Sequence, residues 1–169
     1  RSKAASELAA KGWTLLRSGD ADTAIKRFNQ AWLMDTKNAQ ALWGMAVISM
    51  TRNDLKTAVN LFLEAEHSDS SDINLGVDCA RAMSMLAASS SDSAMMKEAM
   101  ARFQRNAQRA PEHPMNWHNW AVALYYIGDY AGAWEKLAKI EKLGLSSALD
   151  PRFVSALSEK MARPVTFTQ

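Results

Sequence analysis

Apolar positions in this chain recur at three- and four-residue steps, in blocks separated by polar turns, which is the period of amphipathic helices. A longer period of 34 residues lies over it: Ala24, Phe28 and Ala31 return as Ala58, Phe62 and Ala65. They return in altered form as Ala99, Phe103 and Asn106, and then as Ala133, Leu137 and Ile140. Such a period marks stacked helical units, each burying its apolar face against a neighbour. Repeats are predicted at 5–38, 39–72, 73–113 and 114–147, each a helix, a turn and a helix.

The turns carry their own signals. Gly19, Asn53 and Gly128 stand where a helix ends in the left-handed region. Each is followed by an Asp, at positions 20, 54 and 129, suited to capping the next helix. The third repeat spans 41 residues, seven more than its neighbours, with the surplus around Ala87 to Ser93. We read it as two lengthened helices with Ser91 or Asp92 as the cap; a disordered loop is the competing reading. Asp150-Pro151 predicts a final helix over 150–162, with Phe153, Val154, Leu157 and Met161 covering the end of the stack. Residues 163–169 read as a tail, and the whole chain as one domain, 1–169.

Within the repeats, Leu8, Gly12 and Leu15, then Leu42, Met45, Ala46 and Ser49, form the stripes expected to face each second helix. Trp32, Trp117 and Trp120 are assigned to the core, while Trp134 is left open.

Composition narrows the function classes. With 48% hydrophobic residues, four Pro and seven Gly, the chain can bury a continuous core. Its net charge of +2 is spread along the sequence without a basic stripe, so nucleic acid is not an expected partner. No apolar run of about 18 residues occurs, so no membrane span is expected. With Arg1 in place of an initiating Met, a trimmed or processed chain is expected, and a signal peptide or lipid anchor would lie upstream.

The expected chemistry is that of a binding protein and not of an enzyme. Cys79 is the single cysteine and falls on a core position. His67, His113 and His118 have no metal-binding spacing, and His113 is expected to be exposed. Phosphate loops and nucleophile motifs are missing, so no cofactor, metal or catalytic residue is assigned. The methionine-rich stretches at Met83, Met85, Met95 and Met96 read as core filling.

These residues, with Gly12, Leu15, Leu42, Ala46, Trp117, Ala121, Leu124, Gly128 and Tyr130, resemble the tetratricopeptide repeat. The fourth repeat matches best, through Trp117, Trp120, Ala121, Leu124, Gly128, Tyr130 and Ala133, and Pro111 supplies the motif's terminal Pro in the third. The resemblance implies an all-α, right-handed superhelical solenoid of four repeats plus a C-terminal capping helix. It also implies a protein–protein interaction scaffold or adaptor holding a peptide in a concave groove.

A second face of the first helices carries Ala9, Leu16, Val77, Tyr126 and the residues that, by this resemblance, line the groove. Those are Trp13, Arg17, Trp43, Val47, Met50, Arg81, Met85, His118, Val122 and Tyr125. Trp and Tyr would supply contact area, and Arg17 and Arg81 would pair with carboxylates of the peptide. The competing reading packs these side chains on the preceding repeat or the terminal helix. Family members that grip a chaperone's terminal carboxylate do so with Lys and Asn; here those places hold Ala9, Trp13 and Gly44, so such tails are not expected ligands.

The run from Gly128 to Lys136 followed by Asp150 to Val154 is similar to bacterial envelope-associated repeat proteins. That similarity favours a periplasmic or membrane-anchored setting over a cytoplasmic one, with a lipoprotein of secretion or pilus assembly as the implied context. A chaperone for an apolar secreted partner and a self-associating homo-oligomeric solenoid are the alternative functions.

Overall fold

In the structure, a computed structural model describing residues 2–165, the polar breaks end every predicted helix. The helices are α1 (Ser2–Arg17), α2 (Ala21–Met34), α3 (Ala39–Thr51), α4 (Leu55–Ser68) and α5 (Ile73–Ser90). They continue as α6 (Ser93–Arg109), α7 (Pro114–Tyr126), α8 (Tyr130–Lys142) and α9 (Pro151–Lys160), with a 3-10 turn at Ser146–Ala148. Gly19, Asn53 and Gly128 take φ of 88°, 63° and 80°, the left-handed geometry that reverses the chain. Asp20, Asp54 and Asp129 then accept hydrogen bonds from the backbone N–H groups of Thr23, Thr57 and Gly132. The Ser-rich stretch is helix and turn: Ser91 adopts φ 53° and Asp92 caps α6 by accepting from the Met95 N–H.

Contacts divide the chain into two compact units, Arg1–Ala82 and Met83–Gln169, the boundary falling inside α5. In the first, α1 packs on α2 and α3 on α4, and α3 also meets both α1 and α2. Ala24, Phe28, Ala31, Ala58, Phe62 and Ala65 are all fully buried, as the 34-residue period requires. The Phe28 ring occupies the space that side chains at Gly12 and Gly44 would fill. A Cβ on Gly12 would fall 2.6 Å from the ring, and one on Gly44 2.2 Å from it. The ring thus seats between α1 and α3 because both helices are bare there.

Several expectations are corrected in this unit. Helix α1 buries Ala5, Ala9 and Gly12, whereas Leu8 and Leu15 are half-buried, so Ala9 belongs to the core contact and not to the second face. Trp32 is 37% exposed. It follows Ala31 by one residue, about 100° further round α2, which turns it away from the Ala24–Phe28–Ala31 stripe.

The second unit centres on Trp117, Ala121, Leu124, Ala133, Trp134, Leu137, Ile140 and Leu157. Trp117 stacks on Trp120 with centroids 5.7 Å apart, and Trp120 on Phe103 at 6.2 Å. Trp120 is half-buried against this core, and the Lys136 ammonium lies 4.2 Å from its ring centre. Where the first two repeats close with Ala31 and Ala65, the third has buried Asn106. Its Nδ2 donates to Asn116 Oδ1 at 3.2 Å, and Asn116 Nδ2 donates to the Phe103 carbonyl at 2.9 Å. This satisfied pair ties α6 to α7. His113, expected to be exposed, is half-buried at the N-terminus of α7.

Phe153, Val154 and Leu157 of α9 pack on this core, as expected of a covering helix, but Met161 lies just past the helix and is 36% exposed. Buried Trp134 donates its indole N–H to the Met161 carbonyl at 3.0 Å. Arg163 pairs with Glu141 and lies 5.9 Å from the Trp134 ring. The rest of the predicted tail, 166–169, lies outside the described residues.

Three carboxylates, two exposed and that of Asp150 half-buried, are held below the ordinary Asp range by hydrogen bonds. The Thr23 side chain and then its backbone N–H act on Asp20; the Ser71 side chain and N–H act on Asp69; the Arg152 N–H acts foremost on Asp150. The folded state therefore favours the ionised forms. Their contribution is complete above the unfolded value of about 3.9 and is lost as pH falls through the lower folded values. The thermal midpoint should decline as pH drops below about 4 at fixed ionic strength. Asp20→Asn, which keeps a capping oxygen, should make that decline shallower in a series of melts.

The seat of Phe28 gives a second expectation. Gly44→Ala should gain about 1 kcal/mol of helix propensity yet lose about 1–3 kcal/mol to overpacking. The predicted result is a lower urea midpoint, and a raised midpoint would refute the ring's placement.

Candidate functional site

The aromatic core of the first unit continues to its surface. Trp13 on α1 meets Phe28 edge-on, with centroids 5.5 Å apart, and meets Trp43 of α3 edge-on at 5.1 Å. Position 13 directly follows Gly12, and position 43 directly precedes Gly44. The two glycines that admit Phe28 therefore also bring the two indoles together. Both rings are half-buried.

Their N–H groups are already engaged. Trp13 Nε1 donates to the Gln40 carbonyl at 3.2 Å, and Trp43 Nε1 donates to Asp78 Oδ2 at 2.8 Å. What the rings offer to an outside molecule is apolar surface in a fixed orientation.

An open pocket of about 670 Å3 lies over them, lined by Ser6, Ala10, Trp13, Thr14, Arg17, Gln40, Trp43 and Asn74. Arg17 is exposed, with Nη2 3.5 Å from Thr14 Oγ1. The Thr14 hydroxyl donates to the Ala10 carbonyl, and the Ser6 hydroxyl to that of Ser2. Among the described residues, the lining holds this cation and no carboxylate.

Of the ten residues expected in a groove, the pocket brings together Trp13, Arg17 and Trp43. Val47 and Met50 lie further along α3, both half-buried, and Arg81 is exposed on α5. Met85 and Val122, in the second unit, are half-buried. His118 and Tyr125 follow the competing reading. His118 is 9% exposed with its ring 5.5 Å from Phe153, and Tyr125 is 5.7 Å from the same ring. Helix α9 thus packs on both of them.

Ser6, Ala10, Thr14, Gln40 and Asn74 escape a sequence reading that selects large apolar and basic side chains. A signal existed for three of them: Ser6, Ala10, Thr14 and Arg17 step along α1 by three or four residues, the spacing of one helix face.

No group of three or more His, Cys, Asp or Glu side chains placed to hold a metal occurs among the described residues. No helix among them is long and apolar enough to cross a membrane. Cys79 is a buried free thiol.

The tetratricopeptide repeat family matches residues 15–76. A comparison with curated protein sequences finds no match. Among solved structures, the chain is similar to pilF of Pseudomonas aeruginosa, at 20% identity and a TM-score of 0.69, over 94% of this chain. It spans 66% of the length of that pilF chain. TTC0263, a thermophilic tetratricopeptide repeat protein of Thermus thermophilus, aligns at 17% identity and a TM-score of 0.74, over 93% of this chain and 81% of its own. A MamA protein aligns at 15% identity and 0.66, over 100% and 98%. At these identities the likeness is one of fold, and it extends through the repeats beyond the matched stretch. With its 34-residue period, its left-handed helix ends and its Ala–Phe–Ala interlocks, the chain has the fold of tetratricopeptide repeat proteins, and residues 15–76 match that family.

Proposed function

We propose that this chain is a non-enzymatic scaffold whose first unit holds a segment of a partner protein in the Trp13–Trp43 pocket. The observation that carries the reading is the pair of indoles fixed edge to edge beneath an open pocket, with their polar atoms spent inside the fold. Rigid aromatic surface beside an exposed Arg is the composition of an interface anchor. Arg81, Val47 and Met50 extend the candidate surface of that unit.

The setting we propose is the bacterial cell envelope, in service of secretion or pilus assembly. Its support is the sequence run from Gly128 to Lys136 and the likeness of fold to P. aeruginosa pilF.

A photoreactive amino acid tests the pocket. Placed at exposed Ala10 in the lining, it should form a discrete adduct with a partner protein in cells of the source organism. Placed at exposed Lys56 on α4, it should form none. Equal labelling from both positions, or none from Ala10, would refute the assignment.

A further inference from the structure

The lining specifies the chemistry of an occupant, provided that a protein segment fills the pocket as proposed above. Trp13 and Arg17 are four residues apart on α1, which sets their attachment points about 6 Å apart along the helix axis. An extended chain advances about 3.3 Å per residue and returns to the same face every second residue. Two positions of an extended segment therefore span the distance from the indole pair to the guanidinium.

Charge specifies one of those positions. Arg17 is exposed and the lining carries no Asp or Glu, the Asp78 carboxylate being engaged by the Trp43 N–H, so a carboxylate entering beside Arg17 meets a cation. Hydrogen bonding specifies the other. With both indole N–H groups donating within the fold, the rings reward an apolar side chain.

The backbone of the occupant is specified by Gln40. Gln40 is an exposed lining residue whose carboxamide can both donate and accept. An extended segment has unspent peptide N–H and C=O groups to meet it, whereas a helix has satisfied its own. We propose that the occupant is an extended peptide segment bearing an apolar side chain over Trp13 and Trp43 and a carboxylate two residues away, paired with Arg17.

Fluorescein-labelled peptides and fluorescence anisotropy on the full chain test this. The probe is a Ser/Gly-flanked peptide containing Leu-Ser-Glu; its variants place the Glu one or four residues from the Leu, or replace it with Lys. The Leu-Ser-Glu peptide should bind about tenfold more tightly than each variant. Its advantage over the Lys peptide should reverse on Arg17→Glu, a change at an exposed position, and should shrink at high salt. Binding without register or charge preference, tightest binding by the four-residue spacing, or no binding at all would overturn the proposal. The Ala10 adduct separates the two readings: if it forms while the peptides show no preference, the pocket assignment stands and the occupant's chemistry is wrong; if it too is missing, both fall.

Discussion

The structure of the first unit depends on one contact, the Phe28 ring lodged where α1 and α3 have no side chains. Gly12 and Gly44 cost helix propensity, and the gain is close packing of three helices around a single large ring. The same two positions fix the neighbouring indoles. Core and surface are therefore not separate designs here: the packing of Phe28 sets the angle at which Trp13 and Trp43 meet the solvent.

The two units use equivalent helix faces differently. In the first, the aromatic residues next to the core stripe stay partly open beneath a pocket. In the second, His118 and Tyr125 are met by Phe153, and Tyr125 also lies edge-on to Tyr130 and Tyr126. A repeat at the end of a stack has no neighbour to bury its apolar face, and α9 supplies that cover with its own aromatic ring. Sharing a repeat position thus does not confer a shared role. The polar link through Asn106 and Asn116 shows the same freedom inside the core, since an amide pair replaces the small contact made by Ala31 and Ala65.

Helix positions were legible because they rest on local chemistry. Gly19, Asn53 and Gly128 end helices, and Asp20, Asp54 and Asp129 cap the next ones, wherever the chain goes afterwards. The Ala–Phe–Ala period was legible for a related reason, because each ring needs small neighbours at set offsets. The site was only partly legible. A large apolar residue beside the core stripe can be open or covered, and that depends on what the rest of the chain lays over it, as α9 does for His118. Trp32 shows the error in the other direction: its size suggested the core, while one residue of helical rotation carried it outward. Polar lining residues such as Gln40 and Asn74 become visible only when separate helices are brought together.

The residues after α9 bear on where the folded module ends. Trp134 is buried in the second unit, yet the acceptor for its N–H is a carbonyl beyond the last helix, and Arg163 lies over the same ring. A boundary drawn at Lys160 by helix assignment alone would cut that acceptor away and leave a buried donor to find water. The folded unit thus reaches past its regular secondary structure, through an irregular length of backbone sewn to an indole.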